Sequence, residues 1–269
     1  MPKVSIIMGV YNCAHSLPKA IESVLKQSFT DWELIMCNDG SRDNTFEVAN
    51  EYAKKYPGRI ILLNNPQNMK LAATLNNCLS IAKGQYIARM DADDYCLPTR
   101  LEKEVAYLDL HPDVDCVGAG MVIFDEEGEK SVRLNVEYPD KNFLVHTTPF
   151  AHPTIMMRKS VYDTLEGYTV SPKIVRGEDT DLWFRFYANG FKGYNIQEPL
   201  YCYHESIDDF KKVSFKTSYE TFMVSLRGYR LLKYPIWKYV YALKPFIVLL
   251  IPNKFMYKYH QLKDKALDR

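Results

Sequence analysis

Carboxylates cluster directly after an apolar run that the sequence pattern predicts to be a strand. Asp91-Ala92-Asp93-Asp94 places three carboxylates in four positions. In an extended segment Asp91 and Asp93 point the same way, because strand side chains alternate between faces. Like charges at such short distances repel each other, and a nearby cation or hydrogen-bond donors must offset the repulsion. A divalent ion that prefers hard oxygen ligands, Mn²⁺ or Mg²⁺, meets that need, and the alternative is a solvated acidic loop before the next helix.

Two other acidic segments are open to a structural and a chemical interpretation. Asn38-Asp39-Gly40-Ser41 is a common turn sequence, and Asp39 could equally accept a hydrogen bond from a ligand at a strand end. Glu178-Asp179 lies where a helix is predicted to begin, a position that favours acidic residues through the helix dipole. A buried carboxylate at that position could instead serve as a general base.

Several enzyme classes lack their motifs in this sequence. The six histidines form no H-E-x-x-H or other tight metal-ligand spacing, which argues against a zinc enzyme. Neither G-x-G-x-x-G nor G-x-x-x-x-G-K-[ST] occurs, which argues against a dinucleotide or triphosphate loop. The G-x-S-x-G nucleophile elbow is also missing.

Strands and helices are predicted to alternate through the first hundred residues. Short apolar runs predict buried strands at 4–10, 32–37, 59–63 and 86–90. Apolar residues at helical spacing predict helices at 17–25, 46–56 and 71–83. This alternation is typical of a parallel sheet flanked by helices, where ligands bind beyond the carboxyl ends of the strands. Further elements are predicted at 98–110 (helix), 116–124 and 154–157 (strands), and 180–188 (helix).

Charge divides the 269-residue chain into an acidic body and a basic tail. Residues 211–269 carry 13 Lys and Arg against three acidic residues, and the first 210 residues carry 21 against 30. The apolar run at 236–251 contains Lys238 and Lys244, and it is shorter than the ~20 residues of a spanning helix. Its flanking basic and aromatic residues favour attachment to a membrane surface through 230–260. The alternative is packing on the domain or on a partner chain, and the acidic body argues against nucleic acid.

The N-terminus and the cysteines predict a cytoplasmic location. Met1-Pro2-Lys3 followed by a strand has no signal-peptide layout. The six cysteines form no C-x-x-C pair, and most lie in apolar runs as expected for reduced thiols. With the tail, this predicts a protein peripheral on the inner face of the cell membrane.

Taken together, the segments resemble family 2 glycosyltransferases, which have the GT-A fold. The resemblance is collinear from residue 4 to about residue 206, with the acidic cluster at the D-x-D region and Glu178-Asp179 at the E-D motif. The other matching segments are 4–12, 23–28, 32–35, 38–41, 82–87, 98–102, 113–118, His152-Pro153-Thr154 with Arg158, and Tyr203-His204. Two positions differ: Lys70 stands where members often have Gly, and Cys202 where many have Arg.

The resemblance implies an α/β GT-A domain over residues 1–210 and a helical basic tail over 211–269. Residues 1–97 would bind the nucleotide sugar, and residues 98–210 would contribute the acceptor and catalytic half. Asp39 would bind uridine, Asp91 would contact the ribose or order the metal site, and Asp179 would be the base. Glu178 would orient the acceptor or the helix start. Asp93 and His204 would hold Mn²⁺ or Mg²⁺, and the remaining nucleotide-sugar contacts would be Val10, Tyr11, Asn12, Asn68, Arg89 and Ala92.

The implied activity is inverting transfer from a nucleotide-diphosphate sugar, a UDP-sugar, to a saccharide or lipid-linked saccharide in cell-surface polysaccharide synthesis. A sugar-nucleotide pyrophosphorylase is one alternative, but it would have a Gly-rich loop where Gly9-Val10-Tyr11-Asn12-Cys13 stands. A non-catalytic scaffold subunit of a membrane-associated assembly is the other. The complete set of Asp91, Asp93 and Asp179 favours the enzyme.

Overall fold

The computed structural model describes residues 1–171, 177–206 and 214–251. Within these ranges nine strands form one sheet. Their bounds are β1 Val4–Val10, β2 Trp32–Asn38, β3 Ile60–Asn64, β4 Tyr86–Arg89, β5 Tyr95–Cys96, β6 Cys116–Asp125, β7 Gly128–Arg133, β8 Met156–Arg158 and β9 Gly193–His204. The strand order is β3-β2-β1-β4-β8-β6-β9-β5, and β7 pairs with β6.

Helices cover the sheet and continue into the tail. The α-helices are α1 Leu17–Leu25, α2 Thr45–Lys55, α3 Leu71–Ile81, α4 Arg100–Leu110, α5 Lys159–Leu165, α6 Glu178–Ala188, α7 Phe215–Leu231 and α8 Lys244–Leu249. Short 3₁₀ helices lie at Lys141–Val145, His152–Thr154 and Ile236–Leu243.

The predicted elements are found with shifted ends. Helix α4 begins two residues after the predicted start, because residues 98–99 form a turn, and α3 ends at Ile81 rather than at residue 83. Helix α6 begins at Glu178, two residues earlier than predicted. Strand β8 begins two residues late, because a 3₁₀ helix occupies 152–154. The observed ends differ from the predicted ones where a local turn interrupts the periodic pattern.

The four N-terminal strands confirm the predicted parallel sheet. β1 pairs in parallel with β2 and with β4, and β2 pairs in parallel with β3. The other half is mixed: β8 is antiparallel to β4 and β6, and β6 is parallel to β9. Because β1, β2 and β4 run the same way, their carboxyl ends meet at one edge, where both N-terminal acidic segments follow.

Alternate side chains of β1 pack into two hydrophobic cores, one on each face of the sheet. Ile7 packs in one cluster with residues of α3, α5 and α6, whereas Ile6 and Met8 pack in the other with residues of α1 and α4. Burial on both faces explains why the strand sequence is almost continuously apolar. All six cysteines are free.

The tail both packs on the body and keeps an apolar surface. Val224, Tyr229 and Ala242 are buried in the same cluster as α6. Ile236 and Trp237 nevertheless remain 80% and 62% exposed. Among the described residues, no helix has the length and apolar character needed to cross a bilayer. The division at residue 210 stays a prediction, and the predicted tail residues 252–260 lie outside the described ranges.

Replacing Gly228 by Ala is expected to destabilise the protein by about 1–3 kcal/mol, because a methyl group has no room there. A Cβ at Gly228 would lie 2.1 Å from Cδ2 of Phe184, which is buried where α7 crosses α6. The lost packing outweighs the higher helix propensity of Ala. Urea unfolding measures the change, with Ser80→Ala on the exposed face of α3 as the control. Equal or greater stability of Gly228→Ala would contradict this close contact.

Candidate active site

The three carboxylates after β4 converge on one small region. The ligand oxygens of Asp91, Asp93 and Asp94 lie within 4.8 Å of one another. The prediction of an extended segment is wrong, because residues 92–93 form a turn. The turn gathers the carboxylates by reversing the chain, and Ala92 is buried within it.

Each of the three carboxylates has different partners. The guanidinium of Arg89, which is 3% exposed, donates to both oxygens of Asp91. Asp94 Oδ1 accepts from the His204 backbone N–H at 2.7 Å, and burial raises the Asp94 pKa well above its usual range. Asp93 is exposed, and its side chain makes no hydrogen bond or ion pair with another described residue. Asp93 is therefore the carboxylate most available to an external ligand.

The donor set fits a hard divalent cation. Carboxylate oxygens are the ligands that Mg²⁺ and Mn²⁺ prefer. Neighbouring protein atoms exclude part of the water around the Asp93 carboxylate, and together with the negative charge on Asp91 this raises the pKa of Asp93. A bound cation would remove that repulsion, so these residues fit the predicted ion.

His204 contributes its backbone to this cluster, and its ring points elsewhere. The ring nitrogen Nε2 lies 3.3 Å from Glu126 Oε1, and the ring meets Phe124 edge-on at 5.3 Å. The imidazole is not among the clustered ligand atoms. Its role as a metal ligand stays a prediction. Cys202, at the position where many members have Arg, is buried in β9.

Asp39 follows β2 and holds the loop that follows β3. Its Oδ1 accepts from Asn65 Nδ2 at 2.8 Å and from the Met69 N–H at 2.7 Å, and its Oδ2 accepts from the Lys70 N–H at 3.0 Å. Gly40 has φ +69°, and a Cβ there would lie 2.8 Å from the backbone of 67–68. The motif therefore forms a bend that ties the end of β2 to this loop. The predicted contact with uridine stays open, because a carboxylate has about four acceptor positions.

Lys70 adopts a backbone conformation that favours glycine. Its φ is +73° and its ψ is 162°, a region that is nearly exclusive to glycine. The hydrogen bond from its N–H to Asp39 holds it there. The backbone at this position is therefore one that glycine adopts without strain, although the residue is a lysine. Asn68 in the same loop has a buried Oδ1 without a hydrogen-bond partner among the described residues.

The residues after β1 line the neighbouring strand end. Val10 is buried, and its carbonyl accepts from the Asp39 N–H at 2.9 Å. Asn12 has φ +48°, and its Oδ1 accepts from the Arg42 N–H at 2.8 Å. Tyr11 is 45% exposed beside them. The ends of β1 and β2 are thus joined, as a nucleotide site requires, and the individual contacts stay predictions.

Glu178 and Asp179 form the first turn of α6. Asp179 Oδ1 accepts from the Thr180 N–H at 2.7 Å and from Thr180 Oγ1 at 3.3 Å, which fixes the carboxylate. Burial, followed by the charge of Asp179, raises the pKa of Glu178 to about 7, and burial also raises the pKa of Asp179. Raised pKa values are what proton transfer near neutral pH requires.

One cavity of about 600 Å³ brings the two acidic centres together. Arg89, Asp91, Glu178 and Asp179 all line it. The charge of Arg89 lowers the pKa of both Glu178 and Asp179 against the effect of burial. A single buried cation therefore faces acidic residues separated by almost ninety positions in the sequence.

Several residues that line this cavity have no role predicted from the sequence. His152 Nε2 lies 2.8 Å from the Tyr168 hydroxyl, and burial lowers the His152 pKa well below its usual range. The histidine is therefore neutral. Arg133 and Glu205, whose NH1 and Oε1 are 3.2 Å apart, also line the cavity. His152 lay within a matched segment, whereas nothing local in the sequence links residues 133 and 205.

The family model for Glycosyl transferase family 2 matches residues 5–165 of this chain. The chain belongs to glycosyltransferase family 2. This confirms the resemblance inferred from the motifs. The matched region contains Asp39 and the 91–94 cluster and ends before Glu178.

Full-length relatives extend the family assignment past the matched region. The chain is similar to EpsE of Bacillus subtilis (strain 168), which is named as a glycosyltransferase. The two share 47% identity over 97% of this chain and 94% of EpsE. It is also similar to WfaP of Escherichia coli, named UDP-Glc:alpha-D-GlcNAc-diphosphoundecaprenol beta-1,3-glucosyltransferase. That similarity is 37% identity over 79% of this chain and 83% of WfaP.

A solved structural neighbour confirms the predicted GT-A fold. The structure of S. aureus TarS 1–349 in complex with UDP-GlcNAc superposes with a TM-score of 0.69 at 17% identity. The superposition covers 89% of this chain and 69% of that chain. At 17% identity this similarity establishes the fold alone. The chemistry of this chain has to be argued from its own site residues.

Proposed function

We propose that this protein is a metal-dependent, inverting glycosyltransferase that uses a UDP-sugar. Its acceptor is a saccharide or lipid-linked saccharide in the synthesis of a cell-surface polysaccharide. It works at the cytoplasmic face of the membrane. The observation that carries the proposal is that Asp91, Glu178 and Asp179 line one and the same cavity.

The relatives support the choice of donor and acceptor. The name of WfaP specifies UDP-glucose as donor and a diphosphoundecaprenol-linked sugar as acceptor. Two further relatives, WbnJ of Escherichia coli and AmsE of Erwinia amylovora, are named for O-antigen and amylovoran biosynthesis. This chain shares 35% and 30% identity with them. Membership of such a group favours polysaccharide assembly here.

The proposed chemistry is a single displacement at the anomeric carbon. The acceptor oxygen forms a bond to that carbon, and the bond from the carbon to the diphosphate oxygen breaks, so UDP leaves with the electron pair. Asp179 takes the proton of the acceptor hydroxyl. Asp93 would hold the divalent ion, which supplies Lewis-acid stabilisation of charge on the leaving diphosphate. One displacement inverts the anomeric configuration.

The chain prepares the site before substrates bind. Thr180 fixes the orientation of Asp179 through two hydrogen bonds. Arg89 occupies both oxygens of Asp91 and balances the acidic groups around the cavity. Preorganised charge of this kind lowers the reorganisation needed in the transition state.

The test is release of UDP from a panel of UDP-sugars, with GDP- and TDP-sugars for comparison. We expect turnover of one UDP-sugar with Mn²⁺ or Mg²⁺ and complete loss with excess EDTA. Restoring the metal should restore the rate. Metal-independent turnover, or turnover of a GDP-sugar alone, would contradict the proposal. Binding of a UDP-sugar without turnover for any acceptor or for water would support the scaffold alternative.

The tail face is proposed to bind an anionic membrane surface. We define the tail face as the exposed apolar side chains of the last two described helices and of the residue that follows α8, namely Ile236, Trp237, Val240, Leu243, Ile247 and Leu250. The tail from residue 211 carries ten more basic than acidic residues, counted from 13 and three. Apolar insertion combined with basic charge is the pattern of interfacial helices.

Sedimentation with vesicles tests the tail face. Wild-type protein should bind vesicles containing phosphatidylglycerol, with weak binding to pure phosphatidylcholine. Trp237→Glu combined with Ile236→Glu should reduce binding at least tenfold. The control is Leu110→Glu, at a side chain on the body that is 76% exposed. Equal binding by both variants would exclude the tail face as the membrane contact.

A further inference from the structure

A second cavity lies between the body and the tail. It has a volume of about 400 Å³ and is lined by the loop at 146–148, the start of α6, one face of α7 and the start of α8. This volume falls in the range of ~300–1,000 Å³ typical of small-molecule sites. We call it the hydroxyl pocket, after the seven Ser and Thr residues of its lining: Thr147, Thr148, Thr180, Thr217, Ser218, Thr221 and Ser225.

The hydroxyl pocket adjoins the candidate active site. Thr147 and Thr148 line both cavities. Thr180, which lines the hydroxyl pocket, donates to Asp179 from its backbone and side chain. A ligand whose attacking hydroxyl reaches Asp179 can therefore extend past the 147–148 loop into this second space.

The α7 wall of the pocket presents hydrogen-bond acceptors. Thr221 Oγ1 donates to the Thr217 carbonyl at 2.9 Å, and Ser225 Oγ donates to the Thr221 carbonyl at 2.9 Å. A hydroxyl that donates its hydrogen bond to a helix carbonyl still has lone pairs on its oxygen, so it can accept another hydrogen bond. Because the two side chains are one turn apart, they form a row that can accept from hydroxyl groups of a ligand.

The rest of the pocket lining is partly aromatic and weakly charged. Tyr229 continues the α7 row one turn after Ser225 and is buried, and Tyr241 meets the ring of His146 edge-on at 5.1 Å. Lys244 donates to the His146 carbonyl at 2.6 Å, and it is the one lysine or arginine among the described lining residues. A diphosphate would need more positive charge than this lining offers. A sugar ring fits, because it combines apolar C–H faces with hydroxyl donors at its edge.

We infer that the hydroxyl pocket binds the second sugar ring of a saccharide acceptor, an inference that rests on the proposed function. The first ring, which carries the attacking hydroxyl, lies beside Asp179. The second ring lies across Thr147–Thr148, with its hydroxyls toward Thr221 and Ser225. Acceptors of two or more sugars are therefore preferred over single sugars.

The test compares p-nitrophenyl monosaccharide and disaccharide glycosides of glucose, galactose and N-acetylglucosamine as acceptors. The full chain is assayed with the UDP-sugar and metal found above. Disaccharides should have the lower KM, and Thr221→Val with Ser225→Ala should raise that KM about tenfold. The KM of the donor and the rate of donor hydrolysis should not change. Thr164→Val is the matched control, because Thr164 makes the same bond to its own helix in α5 at 2.8 Å.

Saturation-transfer NMR on protein loaded with UDP provides a second readout that does not depend on turnover. The reducing-end ring of a disaccharide should receive saturation in the wild type and lose it in the double variant. The inference is overturned if no disaccharide glycoside binds, or if binding is unchanged by the double substitution. Absence of UDP release from every nucleotide sugar would instead contradict the proposed function, so the two failures are distinguishable.

Discussion

Asp179→Asn is expected to lower turnover of the sugar donor by about 10²–10⁴-fold, the usual contribution of a positioned general base. An amide cannot take the proton of the acceptor hydroxyl, yet it keeps the size of the carboxylate. Its oxygen can still accept the two bonds from Thr180. Binding of UDP should therefore stay within about twofold of the wild type.

Steady-state kinetics and calorimetry of UDP binding separate the two effects. The control is Asp163→Asn, an exposed carboxylate on α5 that pairs with Lys159 at 2.7 Å. Glu178→Gln distinguishes the neighbours, since it should cost less activity if Asp179 is the base. Near-normal turnover in Asp179→Asn, with a large loss in Glu178→Gln, would transfer the role of base to Glu178.

Asp93→Asn is expected to lower turnover by about 10²-fold or more, because stabilisation of the leaving diphosphate is worth several kcal/mol. Its carboxylate is exposed and has no hydrogen-bond partner among the described residues, so the fold should tolerate the change. The loss should appear as weaker Mn²⁺ binding, and high Mn²⁺ should restore part of the rate.

Electron paramagnetic resonance of free Mn²⁺ in the presence of UDP measures that affinity directly. Asp113→Asn is the control, because this carboxylate is 70% exposed on a surface loop. Unchanged Mn²⁺ affinity in Asp93→Asn would place the ion on other residues. Asp179→Asn should bind Mn²⁺ as tightly as wild type, which separates the proposed metal and base roles.

The strand pattern predicted where the acidic residues would stand. The buried runs of β1, β2 and β4 are mostly apolar and are followed by polar residues, so their ends could be located within one residue. Since parallel strands end at one edge, the grouping of Asp39 with the 91–94 cluster followed from topology alone. The turn at 92–93 could not be predicted in the same way. The local pattern indicated only an extended segment with alternating side chains.

Contacts between distant segments were beyond the sequence pattern. The pairing of Arg133 with Glu205 joins β7 to the segment after β9, and nothing near either residue signals the other. The sequence of the tail allows two alternatives, attachment to a membrane surface or packing on the domain. The structure gives it a buried side, with Val224 and Tyr229, and an exposed side. The hydroxyl pocket arises only because the packed side closes over the 146–148 loop.

The most direct test of the account is the position of a manganese ion in crystals grown with UDP and Mn²⁺. An anomalous difference map recorded near the manganese edge identifies the ion without relying on activity. We predict one strong peak at Asp93, within the cluster that it forms with Asp91 and Asp94, and UDP bound beside it. A peak distant from Asp93, or UDP bound in a different cleft, would contradict it.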